Sequence, residues 1–278
     1  MTRLTIKQDY DADVIIAGAG PAGAAAACHL ARCGVSVIVL DRAKFPRDKV
    51  CGDCVGPMAL VELDALGVSQ MDSYSQTNIG RRGALYLDGE ELISLLFPDI
   101  AGLPQYARVI PRLTLDNFVA DAARQAGARV MDGFALANVS VDDDAVAIEA
   151  MGPSGSFTLR ARLLIGADGS NSTVARIMRG SLPPRRDRLV AARAYFTNVT
   201  GPQDQLDLYI SGGCFPGYYW LFPTGNREAN VGLGVPLETL PAHERAPAAM
   251  LRRFLHDDPT LATRLRNAHL RGKPLDGR

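Results

Sequence analysis

The chain has 278 residues, with 30 lysines and arginines against 30 aspartates and glutamates, so its formal net charge at neutral pH is zero. Hydrophobic residues make up 47% and charged residues 22%, a balance that excludes an intrinsically disordered or collagen-like chain. Because there is no basic surplus, the composition argues against binding to nucleic acid or to an anionic membrane surface. The length predicts about two domains, or one elaborated α/β domain.

One uncharged segment has nearly the length of a membrane span. Residues 14–31 contain no Asp, Glu, Lys or Arg, but three glycines and Pro21 interrupt them, and acidic residues precede them where a signal peptide would be positive. We therefore expect no transmembrane segment and a cytoplasmic protein. The five cysteines are too sparse for a disulfide scaffold, which agrees with a reducing compartment.

The beginning of the chain predicts a strand–helix–strand unit. A β-rich run over residues 13–17 precedes a glycine turn and an Ala-rich helix over about 21–33, and a second apolar run follows over 35–40. Two apolar strands joined by a single helix run parallel and are buried on both faces. This arrangement places the unit in a doubly wound sheet.

The glycine turn has the pattern of a dinucleotide-binding motif. Gly18 permits a tight turn, Gly20 lets the backbone approach a pyrophosphate, and Gly23 allows the helix to pack closely on the strand. Ala22 belongs to the same motif, whose helix N-terminus points at the negative charge. Asp41 ends the second strand, where a carboxylate accepts hydrogen bonds from ribose hydroxyls. The alternative is that the glycines form only a tight turn.

The later elements follow in chain order. A basic loop precedes a helix over 58–66, and a β-hairpin then turns on Asp88-Gly89, with strands over 84–87 and 92–97. A helix is predicted over 113–126, with Thr114 as its N-cap. Strands are predicted over 128–131, 136–141, 146–150, 157–159, 163–165, 189–199, 206–211, 218–222 and 228–235, the last four antiparallel, and residues 242–270 are predicted to be mostly helical with a break near Pro259.

A second motif lies in the middle of the chain. Residues 163–172 read LLIGADGSNS and resemble the strand and Asp-Gly turn of the p-hydroxybenzoate hydroxylase-like flavoproteins. The resemblance implies that the region around Asp168 and Gly169 serves both flavin and pyridine nucleotide. That family commonly has an Arg seven residues after the Asp, whereas this chain has Ala175 there, followed by Arg176. A plain β-turn with a good N-cap is the alternative.

Two further segments resemble the geranylgeranyl reductase family. Residues 45–53, FPRDKVCGD, look like the family's basic loop and Cys-Gly segment, which borders the flavin ring. Residues 218–223, YYWLFP, are followed after eight residues by Gly232-Leu233-Gly234 and are similar to the YxWxFP and GxG signature, whose strand lines an isoprenoid cavity. An aromatic strand that only packs a core is the alternative. The resemblance implies cofactor contacts at Arg42, Cys51, Gly52 and Arg112, substrate contacts at Tyr218, Trp220, Phe222 and Pro223, and catalytic candidates at Cys51 and Lys49.

Two details of these segments have alternative readings. Cys51-Gly52-Asp53-Cys54 is also a CxxC pattern, but no second Cys or His pair completes a zinc site. Cys51 is therefore a flavin-side residue by resemblance, and a labile disulfide to Cys54 is the alternative. Arg112, with Asp116 four residues later, is placed near the cofactor by the family pattern, and a surface helix cap is the alternative.

The related proteins carry a further Gly-Asp pair after the substrate region, and this chain ends about where that pair would follow. We therefore expect a C-terminally truncated member of the family with an α/β fold. A Rossmann-like FAD-binding domain, p-hydroxybenzoate hydroxylase-like, is predicted from residues 1–75 and 105–180. An antiparallel-sheet substrate domain is predicted from residues 76–104 and 181–278.

The resemblance implies an FAD-dependent oxidoreductase that reduces carbon–carbon double bonds of a prenyl substrate by hydride transfer from reduced flavin, with NAD(P)H as electron donor. The partner would be a lipophilic small molecule, with peripheral membrane contact left open. Two alternatives stay open: an FAD-dependent monooxygenase acting on an aromatic or polyketide substrate, and an inactive flavoprotein fragment. A halogenase is disfavoured because the sequence lacks a Trp-x-Trp-x-Ile-Pro pattern.

Overall fold

The computed structural model describes residues 10–153, 155–181, 183–212, 215–238 and 247–277. Cys214, His243 and the first residues of the helical prediction over 242–270 lie outside the described residues. Among the helices that the structure describes, none is both long and apolar enough to cross a membrane.

The described ranges contain both strands and helices. The strands are β1 (Ala12–Ala17), β2 (Val37–Asp41), β3 (Cys54–Val55), β4 (Asn78–Gly80), β5 (Arg82–Leu87), β6 (Glu90–Leu96), β7 (Ala107–Val109), β8 (Arg129–Asp132), β9 (Ala135–Val141), β10 (Val146–Gly152), β11 (Gly155–Gly166), β12 (Leu189–Thr197), β13 (Gln205–Ile210), β14 (Tyr218–Gly225), β15 (Glu228–Pro236) and β16 (His269–Gly277). The α-helices are α1 (Pro21–Arg32), α2 (Pro57–Ala65), α3 (Arg112–Gln125), α4 (Thr173–Arg179), α5 (Pro247–Asp257) and α6 (Pro259–Leu265).

The chain divides into two compact units. The first comprises Met1–Arg47 and Leu115–Leu182, and the second comprises Asp48–Thr114 and Pro183–Arg278. The predicted division differs at residues 48–75 and 105–114, which group with the second unit rather than the first. The physical reason is a three-stranded sheet, β3–β7–β4, whose apolar side chains pack into a cluster with Trp220 and Phe222 of β14.

The first unit is built on a six-stranded sheet in the order β8–β2–β1–β11–β10–β9. The strands β8, β2, β1 and β11 run parallel, and β10 and β9 continue the sheet antiparallel. All five residues of β2 are buried, as expected for a strand covered on both faces. The core side chains include Ile15, Ile38, Leu40 and Ile148. The doubly wound strand–helix–strand unit is confirmed.

The second unit is built on a seven-stranded sheet in the order β16–β12–β15–β14–β13–β5–β6. Its neighbouring strands are antiparallel except for β13 and β5, which run parallel. The helix α5 covers one face, where Phe254 stacks on Tyr219 with 3.4 Å between ring centroids. Leu221, Leu233 and Met250 are buried in the same core.

Most predicted elements are present with small shifts of their ends, and three details are wrong. Thr114 is not an N-cap, because α3 already begins at Arg112. The separate strands predicted over 157–159 and 163–165 are one strand, β11. The predicted helical end is wrong at residues 269–270, which open β16, a strand that pairs antiparallel with β12.

Candidate functional site

The glycine turn between β1 and α1 has no room for side chains at two positions. Gly18 has a φ of +99°, and a Cβ there would lie 2.3 Å from the carbonyl oxygen of Ala167. A Cβ at Gly23 would lie 1.9 Å from the carbonyl oxygen of Gly18. Both clashes are with backbone atoms, which cannot rotate away. The structure therefore requires glycine at these two positions, for the turn and for close packing of the helix.

Gly20 differs from these two glycines because no backbone atom lies close to the position of a Cβ. Its φ of −69° and ψ of −178° suit any residue, and a Cβ would meet within 4 Å only Nη2 of Arg47, at 3.2 Å. Gly20 is the N-cap of α1, so no side chain accepts a hydrogen bond from the N–H groups at this helix end. The first turn of α1 also contains no acidic residue. The exposed Ala22 lies in that turn. The N–H groups at a helix end without a side-chain cap or an acidic residue favour an anion such as a pyrophosphate.

Asp41 ends β2 beside this turn and is 7% exposed. Its Oδ2 accepts the N–H of Ala19 and its Oδ1 accepts the N–H of Ala43, both at 2.9 Å. Each oxygen keeps a second lone pair, so the carboxylate can still accept from hydroxyl groups. Arg42, the next residue along the chain, is exposed.

Arg47 is a candidate that the sequence prediction missed. Its Nη1 lies 2.7 Å from Oδ2 of the fully buried Asp116, and its Nη2 lies 3.5 Å from Oδ2 of Asp41. Its guanidinium is also the group nearest to Gly20. The two carboxylates therefore hold a cation beside the helix N-terminus. The available sequence signal was the basic loop FPRDK, but the partner Asp116 is 69 residues away along the chain.

The second motif adjoins the first. A Cβ at Gly18 would lie 2.7 Å from the Cα of Asp168, so the turn after β11 is packed directly on the glycine turn. The carboxylate of Asp168 accepts the N–H of Thr173 at 2.6 Å and the hydroxyl of Ser172 at 2.5 Å. Gly169 has a φ of +83°. Asp168 thus accepts from the first residue of α4, as the capping alternative expects. The same turn also packs on the glycine turn, so the two interpretations are compatible.

In the second unit, the aromatic side chains of β14 share one face. Tyr218, Trp220 and Phe222 alternate with core residues, and the Trp220 ring centroid lies 5.9 Å from that of Tyr218 and 6.2 Å from that of Phe222. Tyr218 is 47% exposed, whereas the other two rings are buried. Pro223 is buried, and its carbonyl accepts from Asn78 at 2.7 Å.

Gly52 of the Cys-Gly segment lies against this aromatic face. A Cβ on Gly52 would lie 3.0 Å from Phe222 Cε2 and 3.3 Å from Trp220 Cε2. The structure thus brings together Gly52 and the aromatic residues that the sequence assigned to cofactor and substrate. Cys51 is a half-buried free thiol whose sulfur accepts the N–H of Asp53 at 3.4 Å. Lys49 is also half-buried, and its N–H donates to Asp48 Oδ1 at 2.8 Å.

A buried carboxylate, also missed from the sequence, lies behind this segment. Asp53 is 1% exposed, and its Oδ2 accepts from Tyr195 Oη at 2.5 Å and from Asn230 Nδ2 at 2.7 Å. The backbone N–H of Arg112 donates to its Oδ1 at 3.3 Å. Burial raises the pKa of the Asp53 carboxyl, although these donors favour its ionised form. Burial and the neighbouring Asp53 likewise raise the pKa of Tyr195.

Comparison with known proteins identifies the class. The model of the FAD binding domain family matches residues 11–202, and the chain therefore belongs to that family. The model of the geranylgeranyl reductase catalytic domain matches residues 187–270, so this part of the chain is similar to that domain.

Curated relatives agree with this placement. The chain is 34% identical over 228 residues to a menaquinone reductase of Mycolicibacterium smegmatis, covering 80% of this chain and 54% of that protein. It is 31% identical over 229 residues to digeranylgeranylglycerophospholipid reductase 2 of Methanopyrus kandleri, again covering 80% and 54%. The chain thus spans about half the length of these curated relatives.

Solved structures confirm the fold. A geranylgeranyl bacteriochlorophyll reductase-like protein of Thermoplasma acidophilum superposes with a TM-score of 0.81 at 24% identity, covering 96% of this chain and 65% of that chain. The flavin-dependent halogenase CmlS superposes with the same TM-score at 22% identity, covering 97% and 50%. At these identities the likeness establishes the p-hydroxybenzoate hydroxylase-like α/β fold alone.

Proposed function

We propose that the first unit binds FAD, with the pyrophosphate at the N-terminus of α1. The observation that carries this proposal is the contrast among the glycines. Gly18 and Gly23 have no room for a Cβ because backbone atoms lie there, whereas a Cβ at Gly20 would meet no backbone atom and only Nη2 of Arg47, at 3.2 Å. Arg47 adds a cation beside that space, held by two carboxylates. The match to the FAD binding domain family supports the same ligand.

The remaining cofactor contacts follow from the motifs. Asp41 would accept hydrogen bonds from the adenosine ribose, and Arg42 would lie at the rim of the same site. The turn at Asp168 and Gly169 would face the nucleotide from β11. In the second unit, Cys51, Gly52 and Arg112 would contact the flavin, as the resemblance implies.

We further propose that the whole protein reduces carbon–carbon double bonds of a prenyl substrate, with NAD(P)H as the electron donor. FAD, when bound, supplies the hydride chemistry. The chain's own residues bind and orient the reactants and exclude water. Tyr218, Trp220, Phe222 and Pro223 are the proposed contacts to an isoprenoid chain, as the resemblance implies; Tyr218 is 47% exposed and offers accessible apolar surface, whereas the other three are buried. Two relatives are named menaquinone reductase and digeranylgeranylglycerophospholipid reductase.

Cys51 and Lys49 are the proposed catalytic candidates, because both belong to the loop that borders Gly52. The Cys51 sulfur accepts the Asp53 N–H, and the Cys51 carbonyl oxygen accepts an N–H of the Asn230 side chain at 2.8 Å. Cys51 is therefore fixed at two points. We also propose a cytoplasmic location, for which the sparse cysteines of the sequence are the support.

Anaerobic turnover with a geranylgeranyl lipid tests the reductase proposal. Protein incubated with FAD and NAD(P)H should bleach the flavin bands and yield a product heavier by two hydrogen atoms per reduced bond, detected by mass spectrometry. An oxygen-dependent product that gains one oxygen atom would instead establish the monooxygenase. Flavin that is bound but produces neither product would establish an inactive flavoprotein and refute the reductase proposal for this chain.

A further inference from the structure

Asp53 occupies an unfavourable backbone conformation in a buried position. Its φ of +64° lies in the left-handed region, which residues other than glycine seldom adopt, and the residue is 1% exposed. A residue other than glycine keeps such a backbone conformation only where contacts with its surroundings hold it there. The determinants are three donors that converge on its two carboxylate oxygens, namely Tyr195 Oη, Asn230 Nδ2 and the Arg112 N–H.

Asn230 connects this carboxylate to the rest of the segment. It is fully buried, and its amide nitrogen donates both to Asp53 Oδ2 at 2.7 Å and to the Cys51 carbonyl at 2.8 Å. Its amide oxygen accepts the indole N–H of Trp220 at 2.9 Å. One amide therefore joins the Cys51 backbone, the Asp53 carboxylate and the Trp220 ring, and all its described bonds are short.

The contact at Gly52 shows what this network holds. The Gly52 Cα lies so close to Trp220 and Phe222 that an added Cβ would meet both rings at 3.0–3.3 Å. The segment from Cys51 to Asp53 is thus pressed on the aromatic face, with hydrogen bonds on either side of Gly52. Loss of the carboxylate would remove the hydrogen bonds on the Asp53 side of Gly52 and leave the bond from Asn230 to the Cys51 carbonyl on the other side.

We propose that Asp53 is a positioning residue that acts through Asn230 to hold the Cys51–Gly52 backbone against the Trp220 and Phe222 rings. The role of this surface in catalysis rests on the proposed function, whereas the positioning itself does not. A carboxylate suits the place because all three groups that face it are donors. An asparagine would turn an N–H group toward at least one of them.

The single tryptophan of the chain makes the proposal measurable without any ligand. Trp220 is the sole source of indole fluorescence, so its emission and its quenching by acrylamide report on this network alone. A second readout is the alkylation rate of Cys51 by iodoacetamide, measured by peptide mass spectrometry in a Cys54→Ser background. Both measurements are made on the full chain without added FAD.

The test variant is Asp53→Asn, and Asp207→Asn is its matched control. Asp207 is a fully buried carboxylate of the same unit, but it pairs across β13 and β14 with Leu221 and so faces the opposite side of the sheet from Trp220. For Asp53→Asn we expect Trp220 quenching and Cys51 alkylation to rise about fivefold, the equilibrium factor for one lost hydrogen bond. Asp207→Asn breaks the buried ion pair with Arg264 and should lower the melting temperature, so both readouts are taken well below the melting transition of each variant, where we expect them to stay unchanged.

Unchanged readouts in Asp53→Asn, or equal changes in both variants, would overturn the proposal. Should Asp53→Asn not fold, Tyr195→Phe removes a single donor to the same carboxylate, and Tyr209→Phe removes the matching donor to Asp207. The same outcomes are then expected of that pair. Wild-type protein that takes up no FAD would refute the proposed function, and the ligand-free readouts would still decide the positioning role.

Discussion

Replacing Gly232 by alanine should destabilise the second unit, whereas replacing Gly234 should not. The two glycines lie on β15 and form the GxG signature. A Cβ at Gly232 would lie 2.3 Å from Trp220 Cζ2 and 2.6 Å from the carbonyl oxygen of Ala192. A Cβ at Gly234 would have only Trp220 Cζ3 nearby, at an ordinary 3.9 Å. One signature glycine therefore makes room for the indole, and the other does not.

The expected magnitude follows from which atoms clash. Overpacking a core costs about 1–3 kcal/mol, and Gly232→Ala lies at the upper end because one of its clashing atoms is a carbonyl oxygen of the sheet backbone. A loss of about 3 kcal/mol lowers the melting temperature of a unit of this size by about 6–12 °C. Gly234→Ala should change the free energy of unfolding by less than about 0.5 kcal/mol.

Thermal unfolding followed by circular dichroism measures this difference, and Trp220 fluorescence shows whether the ring has moved. Gly232→Ala should melt well below wild type with a red-shifted emission, and Gly234→Ala should match wild type in both. Two variants that melt within about 2 °C of each other would refute the reasoning, because a 3 kcal/mol difference cannot be hidden in that interval.

Three further predictions concern buried charges and thiols. Arg264→Leu leaves the buried Asp207 carboxylate without its cation, so urea unfolding should show a loss of about 3–5 kcal/mol; a loss below about 1 kcal/mol would contradict the ion-pair account. Because burial raises the pKa of Asp53, wild type loses stability from this group as the pH rises from 3.8 toward the raised pKa, so the melting temperature of Asp53→Asn relative to wild type should rise as the pH is increased above 3.8; the opposite trend would disprove it. Cys54 is exposed, but desolvation, with the nearby Cys51 and Asp53, raises the pKa of its thiol to about 11 from 9.0. Because the smaller thiolate fraction is partly offset by the higher nucleophilicity of that thiolate, its alkylation near pH 8 should be about tenfold slower than that of N-acetylcysteine; equal rates would show that the thiol is ordinary.

The parts of the fold that the sequence predicts well are those with a local signal. The unit β1–α1–β2 has continuous apolar strands, a glycine turn and an Ala-rich helix, so each element is readable by itself. The short strands β3, β4 and β7 have two or three residues each and form only because distant parts of the chain pair with one another. Strand β16 contains Gly272 and Pro274, which obscure the alternation expected of a strand.

The candidate site divides in the same way. The glycines and Asp41 lie within one contiguous motif, and their spacing alone predicts their geometry. The other contacts of the site join residues that are far apart in the sequence, so no local pattern predicts them. They are the contacts of Arg47 with Asp116 and of Asp53 with Tyr195 and Asn230. Polar residues at such positions read as loop or surface residues until the tertiary structure shows their burial and their partners.

The central claim is that FAD binds at the N-terminus of α1, and a visible-spectrum titration of wild type and Gly20→Ala with FAD tests it most directly. A methyl group on Gly20 would lie 3.2 Å from Nη2 of Arg47, whose guanidinium is held by Asp116 and Asp41 and must shift by a few tenths of an ångström, so the variant should melt only slightly below wild type. The methyl group would occupy the space assigned to the pyrophosphate, so the Kd for FAD should rise at least about tenfold, or ~1.4 kcal/mol. Equal affinities in the two proteins, or no uptake of FAD by wild type, would contradict the account.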